Sequence, residues 1–141
     1  SRAIKKSNRA SNNNAHTNNT ITIKGTTVTA TAKSGYYFSS WDDVSSVPDN
    51  NSDTFTINAH FAAYKVTYNY NYNGAPANAT ADYASGFKLI NASRTGYTFD
   101  GWYTEASGGS KIGGSETAYT PSSNITLYAH WTKNSYKCHN K

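Results

Sequence analysis

Between Thr20 and Thr132 apolar and polar residues alternate with a period of two over several short runs, the pattern of strands with one buried face. In TITIKGTTVTATA (Thr20–Ala32), Ile21 and Ile23 share a face, Gly25 permits a turn, and Val28, Ala30 and Ala32 resume the alternation. Two strands and a tight connection are predicted there. GYYFSSW (Gly35–Trp41) follows, then an acidic, Pro-containing loop from Asp42 to Asp53, then a strand over TFTINAHFAA (Thr54–Ala63). YKVTYNYNYNG (Tyr64–Gly74) sets Val66, Tyr68, Tyr70 and Tyr72 on one face of an extended strand that ends in an Asn73-Gly74 turn. A weakly patterned segment leads to GYTFDGWY (Gly96–Tyr103), a Gly/Ser-rich loop (Ser107 to Ser115) and a closing strand, NITLYAHWT (Asn124–Thr132). Residues 1–19 are polar, basic and Asn-rich, with Ile4 the only sizeable apolar residue, so they read as a tail or linker that another chain could order. Residues 133–141 read as a C-terminal tail.

The two halves repeat. AKSGYYFSSW (Ala32–Trp41) parallels ASRTGYTFDGW (Ala92–Trp102) at an offset of 61, and TINAHF (Thr56–Phe61) parallels TLYAHW (Thr126–Trp131) at an offset of 70. The change of offset places about nine extra residues in the Gly/Ser loop, where insertions are tolerated. A short module over residues 20–63 and a longer one over 64–132 are therefore expected, mainly β with few or no helices. In Gly-Tyr-x-Phe-x-x-Trp, Tyr and Phe share a strand face, but Trp falls three beyond Phe and would face away. A bulge near Asp100-Gly101 would bring it back. Gly35, Tyr36, Phe38, Trp41 and Phe61, with Gly96, Tyr97, Phe99, Trp102 and Trp131, are the expected structural core of the motif, because modules this small have little else to bury.

The second half, with its opening strand, GYTFDGWYTEASGG and the closing ITLYAHW, resembles the Listeria-Bacteroides repeat, or internalin B-repeat, family over residues 65–132. Residues 20–63 resemble a shorter, divergent copy through GYYFSSW and TINAHF. The resemblance implies small β-grasp-like modules in modular extracellular proteins of prokaryotes, serving as spacers, stalks or adhesion segments without chemistry of their own. The short module, lacking an element, would need a neighbour or another chain to complete its sheet.

Composition agrees with strands: Tyr occurs 12 times, while Leu occurs only at Leu89 and Leu127. The net charge of +5 suggests nucleic acid until its location is considered. Arg2, Lys5, Lys6, Arg9, Lys133, Lys137 and Lys141 lie in the tails, which leaves six basic residues against all eight acidic ones, a body near −2. That distribution argues against nucleic-acid binding. No apolar run is long enough to insert in a membrane, and an export signal would have to have been removed before Ser1.

Candidate chemistry is sparse. Cys138, the sole cysteine, is a tail thiol or a cross-link to another chain, and His139 beside it is at most half of a metal pair. His60 and His130 occupy equivalent, outward-facing strand positions. The cluster Asp42, Asp43, Asp49, Asn50, Asn51 and Asp53 lacks calcium-loop spacing and reads as a solvated turn. No nucleophile elbow, phosphate loop or acid–base constellation occurs, so neither catalysis nor a cofactor is expected. Asn18, Asn50, Asn78, Asn91 and Asn124 head Asn-x-Ser/Thr patterns, candidate glycosylation sites if the host modifies its exported proteins. The expected role is a structural repeat, a spacer or subunit of a surface adhesin, stalk or filament, self-associating or packing on neighbouring modules by strand or tail exchange. The alternative is a carbohydrate- or host-ligand-binding module stacking ligands on Tyr68, Tyr70, Tyr72 or Tyr103.

Overall fold

A computed structural model describes residues 2–5, 15–17, 19–44, 47 and 54–135. The chain divides into two compact units, Ser1–Ala63 and Tyr64–Lys141. Unit 1 holds β1 (Arg2–Lys5), β2 (Ala15–Thr17), β3 (Thr20–Ile23), β4 (Thr26–Thr29), β5 (Tyr36–Trp41), β6 (Thr54–Ile57) and β7 (Ala59–Ala63). Unit 2 holds β8 (Lys65–Asn69), β9 (Ala79–Asp82), β10 (Tyr97–Tyr103), β11 (Lys111–Gly113) and β12 (Ile125–Lys133). The protein is mainly β, and no α-helix occurs among the described residues.

Unit 2 is one five-stranded sheet in the order β11-β10-β12-β8-β9. β12 lies at its centre, antiparallel to β10 and parallel to β8, with Ile125 to Tyr128 opposite Val66 to Asn69. The period-two pattern sets the buried face: Val66 and Tyr68 from β8, Leu127 and Ala129 from β12. The weakly patterned segment after β9 supplies buried Leu89 and Ala92. It is held by ladder-like bonds in which Leu89 N–H donates to Thr117 O, Glu116 N–H to Leu89 O and Tyr119 N–H to Phe87 O. A β-grasp-like module is the sequence expectation; what covers this face, among the described residues, is irregular chain.

The bulge on β10 does what the motif spacing requires. Register against β12 slips between Phe99 and Gly101, so Phe99 and Trp102 both pack in the unit 2 core. Gly101 sits at φ +135, where a Cβ would lie 2.8 Å from Lys111 Cε and 3.1 Å from the Gly113 carbonyl oxygen. Glycine is needed there. The same slip recurs in unit 1 between Phe38 and Ser40, where β5 pairs with β7.

Unit 1 packs Ile21, Ile23, Ala30, Trp41, Val47 and Ile57 into a smaller core. β3 and β4 form a hairpin whose two-residue loop, Lys24-Gly25, has positive φ at both positions (49 and 86), as the twist of such a hairpin demands. The remaining pairings depart from unit 2. By the offset of 70, β6 with β7 correspond to β12, and β3 opens the module expected over 20–63 as β8 opens the one over 64–132. Yet β6 pairs with β1, and β3 pairs with β2 and β4, so the parallel contact of first and last strands is replaced on both sides.

At residues 2–5 and 15–17 that pairing departs from the reading of residues 1–19 as a tail. Residues 2–5 and 15–17 are strands despite their polarity, because ladder hydrogen bonds come from the backbone and do not depend on an apolar face. The edges of β3 and β6 supply the partners.

Candidate functional site

In both units the motif glycine closes the same tight turn. Tyr36 N–H donates to Lys33 O and Tyr97 N–H to Arg94 O, both at 3.0 Å, with Gly35 at φ 90 and Gly96 at φ 82 as the third residue of each turn. A cation therefore begins each turn and a tyrosine ends it. In unit 2 the Arg94 guanidinium carbon lies 3.5 Å from the centre of the Tyr97 ring and 4.4 Å from that of Tyr72.

The aromatic cluster behind this turn is structural in unit 2. Trp102 is fully buried, donates its indole N–H to Ile90 O at 2.7 Å, and packs against Tyr68 (4.7 Å between centroids) and Phe99 (5.2 Å). Trp131, half-buried, donates its indole N–H to Tyr70 O at 2.7 Å and meets Phe99 at 5.4 Å. In unit 1 Trp41 is buried and meets Phe38 at 5.3 Å.

Two assignments change. Phe61, expected in the core, is 40% exposed and touches Phe38 only edge-on, at 6.0 Å. Its counterpart Trp131 is flanked by Tyr72 at 5.6 Å, from the chain just beyond β8. Tyr68, expected as a stacking platform, is 1% exposed and lies in the core, where burial pushes its hydroxyl above the usual 10.0. Strand alternation fixes which residues share a face but not which face is covered. Tyr70 packs on the core cluster, and Tyr103 stacks flat on His130 at 3.7 Å.

Beside the Arg94 turn unit 2 has an open cleft of about 330 Å³, lined by Asn71, Arg94, Tyr97, Asp100, His130, Trp131 and the loop Ala106-Ser107-Gly108. That loop lies where the two modules differ in length, and it is pinned. Asn71, at φ 63, donates through Nδ2 to Ala106 O and to Ala129 O, both at 2.9 Å, and His130 Nε2 lies 2.8 Å from Glu105 O. Asp100 accepts from the Thr132 hydroxyl. The cleft thus offers a cation, a carboxylate acceptor and aromatic faces together. Arg94, Asn71 and Lys33 are absent from the sequence-derived candidates; the signal that could have found two of them is the cation three residues before the motif tyrosine in both modules.

His60, the unit 1 counterpart of His130, has a different partner: its Nε2 lies 2.6 Å from Asp42 Oδ1. Asp42 Oδ2 accepts from Asn58 N–H, and the His60 bond, with this one, holds the Asp42 carboxyl below its ordinary 3.8. Asn78, Asn91 and Asn124 are exposed, and Asn124 Oδ1 accepts from Lys65 N–H at 2.8 Å. Asn18, Asn50, Asn51, Asp49, Asp53, Cys138 and His139 lie outside the described residues. Among the described residues no three metal-ligating side chains converge.

The Listeria-Bacteroides repeat domain matches residues 64–130, and the divergent InlB B-repeat domain matches residues 7–74. Internalin H of Listeria monocytogenes is 31% identical over 115 residues, an alignment that covers 75% of this chain. The chain spans about a fifth (21%) of that relative's length. No solved structure matches the chain. Two matches in tandem, each centred on one unit and its Gly-Tyr-x-Phe-x-x-Trp bulge, identify the chain as a pair of Listeria-Bacteroides-type repeats, the second typical and the first divergent.

Proposed function

We propose that the chain is a non-catalytic structural segment of a prokaryotic cell-surface protein, a spacer or stalk subunit that associates through strand exchange. Its family membership and its likeness to part of an internalin support the surface location. The observation that carries the assembly reading is the substitution of strands in unit 1: β1 takes the edge of β6, and β2 the edge of β3, where unit 2 joins its own first and last strands. A short donor strand paired to a sheet edge can be supplied by a second copy as readily as by its own chain. Neighbouring modules and other copies of this chain are the partners proposed.

Sedimentation velocity and electron microscopy of the full chain, beside one lacking residues 1–18, test this. Asn19 is kept because it bonds Ala30 through both its backbone and its side chain. Oligomers or filaments that form with the full chain and vanish with the deletion support the proposal. A monodisperse monomer in both cases contradicts it.

A further inference from the structure

We propose that Arg94, Tyr97 and Trp131 in unit 2, and Lys33, Tyr36 and Phe61 in unit 1, are equivalent sites for an acidic saccharide of the uronate type. The positions correspond by the same offsets that align the repeats, 61 for the turn and 70 for the closing strand. Both sets line a concavity, of about 330 Å³ in unit 2 and about 300 Å³ in unit 1. Each concavity arises from the packing of its own unit.

The chemistry of the ligand follows from what the sites leave unsatisfied. Among the described residues the Arg94 guanidinium contacts rings but has no hydrogen-bond or ion-pair acceptor, and Lys33 likewise has none. With aromatic rings against its face, the guanidinium keeps its N–H edge, which matches a carboxylate in a two-bond fork. Beside the cation, Trp131 and the exposed Phe61 offer apolar ring surface suited to the C–H face of a pyranose. Asp100 adds an acceptor for a sugar hydroxyl in unit 2. Asp100 in the cleft, an acceptor for hydroxyls, favours a ligand that carries hydroxyls beside its charge over single-stranded DNA, whose phosphodiesters would otherwise suit a cation with aromatic rings. A uronate ring presents a carboxylate and hydroxyls together.

The site in unit 2 is the more complete. Its extra wall, Ala106 to Gly108, is held by Asn71, and its cation is an arginine. Unit 1 has a lysine, a point charge without the planar fork.

The test is calorimetric titration of the full chain with oligogalacturonate, its methyl ester, polyglutamate and a single-stranded oligonucleotide. Binding of oligogalacturonate is expected, weakened roughly tenfold on methyl esterification, the scale of one charge-assisted hydrogen bond. Arg94→Gln is expected to weaken it more than Lys33→Gln, with the double variant losing the most. Arg94→Lys, which keeps the charge and spares the turn, is expected to fall between wild type and Arg94→Gln, which guards against a fold defect. No binding, unchanged affinity in the double variant, or equal affinity for the ester, polyglutamate or the oligonucleotide overturns the proposal. It does not rest on the assembly reading: sedimentation of the double variant is expected to match wild type.

Discussion

Unit 2 sets its opening strand directly beside its closing strand, Val66 to Asn69 along Ile125 to Tyr128. Unit 1 carries counterparts of both strands, with Ile21 and Ile23 as buried as Val66 and Tyr68, and Ile57 as buried as Leu127. There the backbone edges are paired to β1 and β2 instead. What the two units share is the turn, the slip in register and the aromatic contacts behind it; what differs is the seam between first and last strands. The motif therefore fixes the interior half of the module, while in unit 1 the seam is completed by β1 and β2, outside the motif. Core contacts depend on side chains that the motif specifies, whereas a ladder accepts any backbone.

The largest effect expected is at the shared tryptophan. Trp102→Ala should cost about 3–5 kcal/mol in unit 2, the range for deleting a fully buried aromatic. Trp41→Ala should cost less in unit 1, since Trp102 meets Tyr68, Tyr70 and Phe99 whereas Trp41 lies in the smaller core. Amide exchange resolved by residue reads each unit separately; equal losses would break the comparison. Next comes the bulge. Gly101→Ala places a Cβ against the Gly113 carbonyl at φ +135 and should cost about 1–3 kcal/mol in denaturant unfolding. Ser40, across the corresponding slip in unit 1, already bears a side chain and should accept Ala within about 0.5 kcal/mol.

Asn71→Gly sharpens the difference in the loop. It removes both Nδ2 bonds while tolerating φ 63, so the net loss should be about 1 kcal/mol, with faster exchange confined to residues near Ala106. The smallest effect is a pH dependence particular to unit 1. Asp42 is held below 3.8 when folded, so its contribution is present above that value and is lost as pH falls through the lower folded one. Asp42→Asn should flatten the acid limb of unit 1 unfolding and leave unit 2 unchanged. An acid limb that keeps its slope would remove Asp42 from the account.

Much of this architecture is legible in residues alone. Alternation locates β3, β4, β8 and β12, and the three-residue step from Phe99 to Trp102 implies the bulge. Tyr68 shows the limit. It shares a strand face with Val66, but period two does not reveal which side the chain after β9 will cover. Beyond Asn69 the strand ends: Asn71 takes a left-handed φ and its N–H bonds Asn69 Oδ1, so Tyr70 and Tyr72 leave the pleat that spacing assigns them. Phe61 shares its repeat position with Trp131, but among the described residues no counterpart of Tyr72 covers it. The strands at 2–5 and 15–17 leave no mark in the side-chain pattern, since both are too short for an alternation to register.

The most direct test of the seam is backbone hydrogen exchange at Thr54–Ile57, in the full chain and in one lacking residues 1–18. Protection of these amides should fall in the shortened chain, while Ile125 to Tyr128 in unit 2 keeps its own. Equal protection in both chains would mean that something other than β1 covers the β6 edge, and the contrast drawn between the two units would be wrong.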